Sequence, residues 1–264
     1  MPRPVSATAI DLIKSFEGCP PHPVWPGFSS GITLGWGCDI GADPASLAAW
    51  QQYLNPNDYN RLGAVKGLTG VSARNALASV AEIVIQQQDA DAVLSNYTLT
   101  NEVDSTLKAF PAADQLPDDS FGALVSLVYN RGPSLNGDRR VEMLAIRDDL
   151  TAGKARWPDA VVQIAKMVRL WPGEPTASNL PGRRLAEAAL FARGLRSAGM
   201  LLGALLKGDE GEAVAHLQEA LEIKADGSFG VQTMVHVWHY QSNDSLPATG
   251  VADVGTLHQL TQAV

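Results

Sequence analysis

Two carboxylates and one hydroxyl are spaced so that they could do chemistry together. Glu17 directly precedes Gly18 at the end of a stretch in which Ile10, Ile13 and Phe16 recur at helical spacing, with Ser6 or Thr8 as its N-cap. A carboxyl in the last turn of a helix meets the partial negative charge of the helix C-terminus, and burial beside Phe16 acts the same way. Both favour the protonated acid that general acid catalysis needs. The competing reading is an ordinary surface glutamate at a frayed helix end. Further on, Gly31–Gly41 alternates, with Ile32, Leu34, Trp36, Cys38 and Ile40 on one side and Thr33, Gly35, Gly37 and Asp39 on the other. In a straight strand Thr33 and Asp39 would stand roughly 20 Å apart. Gly35 and Gly37 permit a reversal, so the stretch is read as a tight hairpin that returns Asp39 beside Thr33. Two carboxylates and a hydroxyl around one cleft form a glycosidase arrangement.

The elements that must position these residues are mostly helices. Helical patterns run from near Ser72 through Leu77, Val80, Ile83 and Val84, and over Phe121–Arg131, Val141–Leu150, Asp159–Leu170 and Pro181–Arg193. Asp118-Asp-Ser120 is expected to cap Phe121–Arg131, whose apolar residues cover most of its surface, the mark of a central helix. Only Val24–Gly41, rich in glycine and proline, reads as strand and turn. The expected class is α+β and predominantly helical.

These residues resemble phage-type lysozymes. Leu12-Ile-Lys-Ser-Phe-Glu17-Gly18 followed by Gly31-Ile-Thr33-Leu-Gly-Trp-Gly37-Cys-Asp39-Ile-Gly41 is most similar to the pesticin-like branch, with its Gly-Val-Thr-Ile-Gly-x-Gly-x-Asp-Leu-Gly run. Ala123-Leu-Val-Ser-Leu-Val-Tyr-Asn130-Arg-Gly132 looks like that family's buried helix, and Leu180-Pro-Gly-Arg183-Arg184-Leu-Ala-Glu187 like its late Arg-Arg helix. The resemblance implies a muramidase in which Glu17 is the general acid and Asp39 and Thr33 stabilise charge or hold water. Tyr129 and Asn130 are the substrate-binding candidates; packing and a helix C-cap are their ordinary alternatives. Many phage lysozymes carry an Asp about six residues before the Thr, whereas here Trp25–Ser30 holds no acid. Asp43, before Pro44, is a reserve acid whose ordinary role is an N-cap. Trp25 and Trp36 could stack on sugars, though Trp36 falls on the apolar side. Arg183 and Arg184 are expected in structural ion pairs. Cys19 and Cys38 are read as two thiols, with a disulfide as the alternative.

The last third matches a second pattern. Leu206–Gln218, Ala225-Asp-Gly-Ser-Phe-Gly-Val-Gln-Thr233, Val237-Trp-His-Tyr-Gln241 and Gly250-Val-Ala-Asp253 look like the three-helix peptidoglycan-binding module of wall hydrolases. There Val214, Leu217 and Leu221 form one stripe, Asp226-Gly227 makes a turn, and Val237 with Trp238 is expected in the core. His236 and His239 share a helix face but read as surface residues, so no metal site is expected. The predicted domains are 1–197, lysozyme-like with a small hairpin, and 203–264, the small module, with a linker at about 196–203.

Charge and composition narrow the function classes. The chain of 264 residues carries a net charge of −8. From Ala198 onward eight acidic residues face two basic ones, so −6 lies there and −2 before it. That balance argues against a nucleic-acid binder, and no run of roughly 20 apolar residues offers a membrane span. The N-terminus shows no apolar signal-peptide core, so cytoplasmic synthesis and a non-Sec route to the wall are expected. The expected partner is bacterial peptidoglycan, acted on by a monomer without cofactors, as a phage endolysin or an antibacterial effector with an immunity protein. The alternative of a different class is a non-catalytic peptidoglycan-binding or virion structural protein.

Overall fold

The computed structural model describes residues 3–262. It is predominantly helical with one small antiparallel sheet. In chain order the α-helices are α1 (Ala7–Phe16), α2 (Pro56–Val65), α3 (Gly70–Ala76), α4 (Gln87–Val93), α5 (Leu99–Ala109), α6 (Asp118–Arg131), α7 (Val141–Thr151), α8 (Trp157–Lys166), α9 (Leu180–Ser197), α10 (Glu212–Ala220), α11 (Val231–Asn243) and α12 (Val254–Gln262). The sheet is β1 (Thr33–Leu34) paired with β2 (Cys38–Asp39). None of the described helices is long and apolar enough to cross a membrane. The chain forms two compact units, residues 17–102 and residues 1–16 with 103–264. The three C-terminal helices belong to the second of these, and the sequence-based division at 197–203 lies inside it.

In the larger unit α6 is the axis. Every residue from Ser120 to Val128 is buried, as a helix apolar on most of its surface must be, and α1, α9 and α8 assemble beside it or one another. The helix starts at Asp118, earlier than expected. Asp118 and Asp119 lie in its first turn, where their charge suits the helix dipole, and neither caps it. Ser120 instead donates to the carbonyl of Phe191 in α9 at 2.7 Å. Gly132, at φ +72°, ends the helix.

A buried polar knot ties α6 to α9. Glu187 is 0% exposed, and its Oε1 accepts from Arg183 Nε at 3.1 Å, Arg184 Nη2 at 2.9 Å and Ser126 Oγ at 2.7 Å. The ion pairs expected of Arg183 and Arg184 are present, and both share one carboxylate.

The last three helices are organised by two buried glutamines. Gln218 donates to Asp226, Ser228 and Thr233 and accepts from the Gly227 amide. Gln241 repeats the scheme, donating to Val251 and Thr256 and accepting from the amides of Thr249 and Gly250. Each amide closes a turn that would otherwise leave backbone groups unpaired. Phe229, Met234 and Val237 fill the core between these turns. Trp238, expected there, is only half-buried and lies edge-on to His239, whose Nε2 pairs with Glu174 at 3.0 Å.

In the smaller unit the helix expected from Ser72 to Val84 is cut short. It ends at Ala76 and continues as a 3-10 turn over Leu77–Ser79. Ser79 Oγ bonds back to the Ala76 carbonyl, and the Ser79 carbonyl is taken by Arg61. Val80 and Ile83 are buried from a turn, and Val84 is exposed.

Replacing Glu187 with Leu should destabilise the protein by about 3–5 kcal/mol, because two buried guanidiniums lose the carboxylate they share. Chemical denaturation of wild type and variant measures the difference.

Candidate active site

The ribbon that carries Thr33 and Asp39 reverses at Gly35 and Gly37, at φ +52° and +86°, as the alternating pattern with its glycines anticipated. Thr33 pairs directly with Asp39 and Leu34 with Cys38. Directly opposed residues share a face of the sheet, so the hydroxyl and the carboxylate become neighbours. Val24 forms a further bridge to Thr33, and that extra chain covers one side. Thr33 is therefore only 7% exposed, less open than a bare face of Thr, Gly, Gly and Asp implies.

Asp39 closes the ribbon. Its Oδ1 accepts from the amides of Gly31 at 3.1 Å, Gly41 at 2.9 Å and Ala42 at 2.9 Å. Among the described residues its Oδ2 accepts only from Gly31, at 2.9 Å, which leaves acceptor capacity on that oxygen. Gly31 and Gly41 are required by this clamp. A Cβ on Gly31 would lie 2.3 Å from Asp39 Oδ1, and one on Gly41 would lie 2.2 Å from the Leu68 carbonyl oxygen.

Glu17 is the first residue beyond α1 and is half-buried. It begins the smaller unit, which also holds Thr33 and Asp39. Tyr129 and Asn130 belong to the larger unit, half-buried in the last turn of α6. Asn130 Oδ1 accepts from Arg184 at 3.2 Å, and the Arg183 guanidinium lies 6.0 Å from the Tyr129 ring centre.

A cavity of about 230 Å³ opens beside Asp39 and is lined also by Asp43, Tyr97 and Glu102. Asp43 caps the 3-10 helix Pro44–Trp50 through the Ala45 amide and accepts the Tyr97 hydroxyl at 3.0 Å. Tyr97 sits on a π-helical turn, Leu94–Thr98, a local widening frequent at functional sites. Burial raises the Glu102 carboxyl above the usual glutamate range, and burial with the hydrogen bond to Asp43 raises Tyr97. Glu102 and Tyr97 escaped the sequence reading because they reach this cavity from a distant helical segment. The exposed Phe28, 97% accessible at φ +50°, escaped it too. No sequence signal marks a bulky residue held in the left-handed region.

The flanking residues are structural. Trp36 is buried and donates to Asp91 at 2.6 Å. Trp25 donates to the Ser30 carbonyl. Cys38 accepts a hydrogen bond from Trp50, and burial pushes its thiol up, which suits a packing group rather than a nucleophile. No disulfide joins it to Cys19. Among the described residues no cluster of three His, Cys, Asp or Glu could hold a metal ion.

No protein-family model and no curated protein matches the chain.

Two outcomes follow from this geometry. Gly41→Ala should lower the melting temperature and loosen the hairpin, read by thermal unfolding and by faster amide exchange at Gly31 and Ala42. Glu102, whose carboxyl is raised in the folded protein, contributes stability at low pH that is lost as pH rises through its folded value. Glu102→Gln should therefore flatten the decline in stability between about pH 4 and about pH 7, measured by denaturation at both.

Proposed function

We propose that this protein is a peptidoglycan hydrolase of the muramidase type, cleaving the bond between N-acetylmuramic acid and N-acetylglucosamine. The observation that carries the reading is the pairing of Thr33 with Asp39 on a glycine-hinged ribbon, in a chain whose Glu17 opens the same unit. Glu17 is the general acid, giving its proton to the glycosidic oxygen as positive charge develops at the anomeric carbon. Asp39 is held by three backbone amides, so its orientation is set before substrate arrives. Its Oδ2, with one amide bond, is the oxygen left to face that charge or to orient water. Thr33 stands beside it to position the water. Tyr129 and Asn130 contact the glycan, and Arg184 fixes the Asn130 amide. The three helices after residue 203 act as the wall-holding module. The actor is a phage endolysin or an antibacterial effector.

One observation favours a second reading. The four hydrogen bonds that the Asp39 carboxylate accepts among the described residues all serve the backbone of its own loop, the pattern of a structural aspartate. A non-catalytic wall-binding or virion structural protein would keep that clamp without turnover.

Turbidity loss of permeabilised bacterial cells, with mass spectrometry of the released fragments, separates the readings. New reducing sugar ends are expected from wild type, and Glu17→Gln should lower the rate at least about a hundredfold while leaving thermal unfolding unchanged. Lysis by folded Glu17→Gln at the wild-type rate removes the proposed acid. Binding to walls without any cleavage by wild type establishes the second reading.

A further inference from the structure

In a chain of net charge −8, one region concentrates positive charge. The end of α6, the turn after it, the start of α7, the turn following α8 and the start of α9 supply Arg131, Arg139, Arg140, Arg169, Arg183 and Arg184. Glu142 is held by Arg169 at 2.5 Å, and Glu187 is shared by Arg183 and Arg184. Asp138, the one acid between Gly132 and Arg140, contributes its backbone carbonyl to Arg169.

The other guanidiniums find carbonyls rather than carboxylates. Arg131 donates to the carbonyl of Arg139, Arg139 to that of Leu170 at 3.1 Å, and Arg140 to that of Arg131. A carbonyl satisfies a donor but leaves the charge uncompensated. Three of these side chains stack around a single indole, with Arg131, Arg184 and Arg139 at 5.3, 5.6 and 5.9 Å from the Trp171 ring centre. The ring quadrupole attracts cations and holds them closer together than their mutual repulsion favours. Burial, and then the charges of Arg140, Arg184 and Arg139, draw Arg131 down to about 10. Burial draws Arg184 down to about 10 as well. Nε of Arg131, and Nε and Nη1 of the fully buried Arg184, have no hydrogen-bond partner among the described residues. Buried donors left so are rare, and each carries a cost.

We propose that the arginines around Trp171 form a binding site for an oxyanion, a carboxylate or a phosphate borne by a cell-wall polymer. Arg139 is exposed and Arg131 and Arg140 are half-buried, so the Arg139 fork is open to the two oxygens of such a group and the other two lie beside it. Trp171 and the backbone carbonyls hold the forks in place beforehand, so little side-chain freedom is lost on binding. The site adjoins the proposed glycan contacts, because Arg184 bonds Asn130. An anionic branch of a glycan lying on Asn130 would therefore fall within its reach. The wall polymer as source rests on the proposed function, whereas the anion site itself does not.

Binding to the full chain is measured by calorimetry with two probes, acetyl-alanyl-glutamate for carboxylates and glycerol phosphate for phosphate, alongside fluorescence of wild type and Trp171→Phe. At least one probe should bind and alter an emission component that Trp171→Phe removes. Arg139→Gln and Arg131→Gln should each weaken binding about tenfold, and added salt should weaken it further. The paired surface residue Arg147 serves as control, and Arg147→Gln should bind like wild type. Preference for the dipeptide identifies a peptide-stem carboxylate, and preference for glycerol phosphate a phosphate-bearing polymer. Binding of neither probe, or equal affinity of wild type and Arg139→Gln, overturns the proposal. No hydrolysis is followed, so failure here is distinct from failure of the muramidase reading.

Discussion

The carboxylate of Asp39 gathers the amides of Gly31, Gly41 and Ala42, and the geometry of the candidate site depends on that gathering. The loop from Val24 to Ala42 contains only two short strands and a few bridges, too little ladder to hold a shape by itself. The side chain supplies what the ladder lacks. It works only because Gly31 and Gly41 lack side chains and let the two passes of backbone approach within contact. Ile32, Leu34, Cys38 and Ile40 are buried on the other side of the ribbon, where Cys38 accepts a hydrogen bond from Trp50.

The larger unit uses the same strategy, with side chains closing backbone turns around a helical axis. Glu187 joins α6 to α9 through two arginines and a serine, and Gln218 and Gln241 each bind a turn to the helix that follows. These polar groups are inside the protein, where an unmet donor or acceptor costs about 1–3 kcal/mol. Their value is in specifying one arrangement among many with similar apolar burial. The arginines near Trp171 depart from this rule, since Arg131, Arg139 and Arg140 meet backbone carbonyls rather than carboxylates.

Catalytic and binding readings make different demands on the same residues. A general acid needs a half-covered carboxyl, which describes both Glu17 and Glu102. A charge-stabilising carboxylate needs fixed orientation and one open oxygen, which Asp39 has. Tyr97 and Asp43 add a hydroxyl and a second carboxylate to the cavity beside it. The cavity is thus lined with hydroxyl and carboxylate groups able to give and accept hydrogen bonds.

Local pattern determined a great deal here. The helical class, the buried character of α6, the glycine-hinged reversal beside Thr33 and the Asp226 turn could be read from residue type and spacing, because each depends on neighbours within a few positions. Tertiary structure decided the rest. Val80 and Ile83 are as apolar as helix residues but are buried from a turn, since Ser79 and Arg61 divert the backbone bonds that would have continued α3. Trp238 gave way to Phe229 and Met234 in the core because the turn bound by Gln218 aims those residues inward. The cavity with Tyr97 and Glu102, the clamp on Gly31 and Gly41, and the ring of arginines about Trp171 all join residues distant in the chain. No spacing rule encodes such meetings, because burial and charge act through space after the chain has folded.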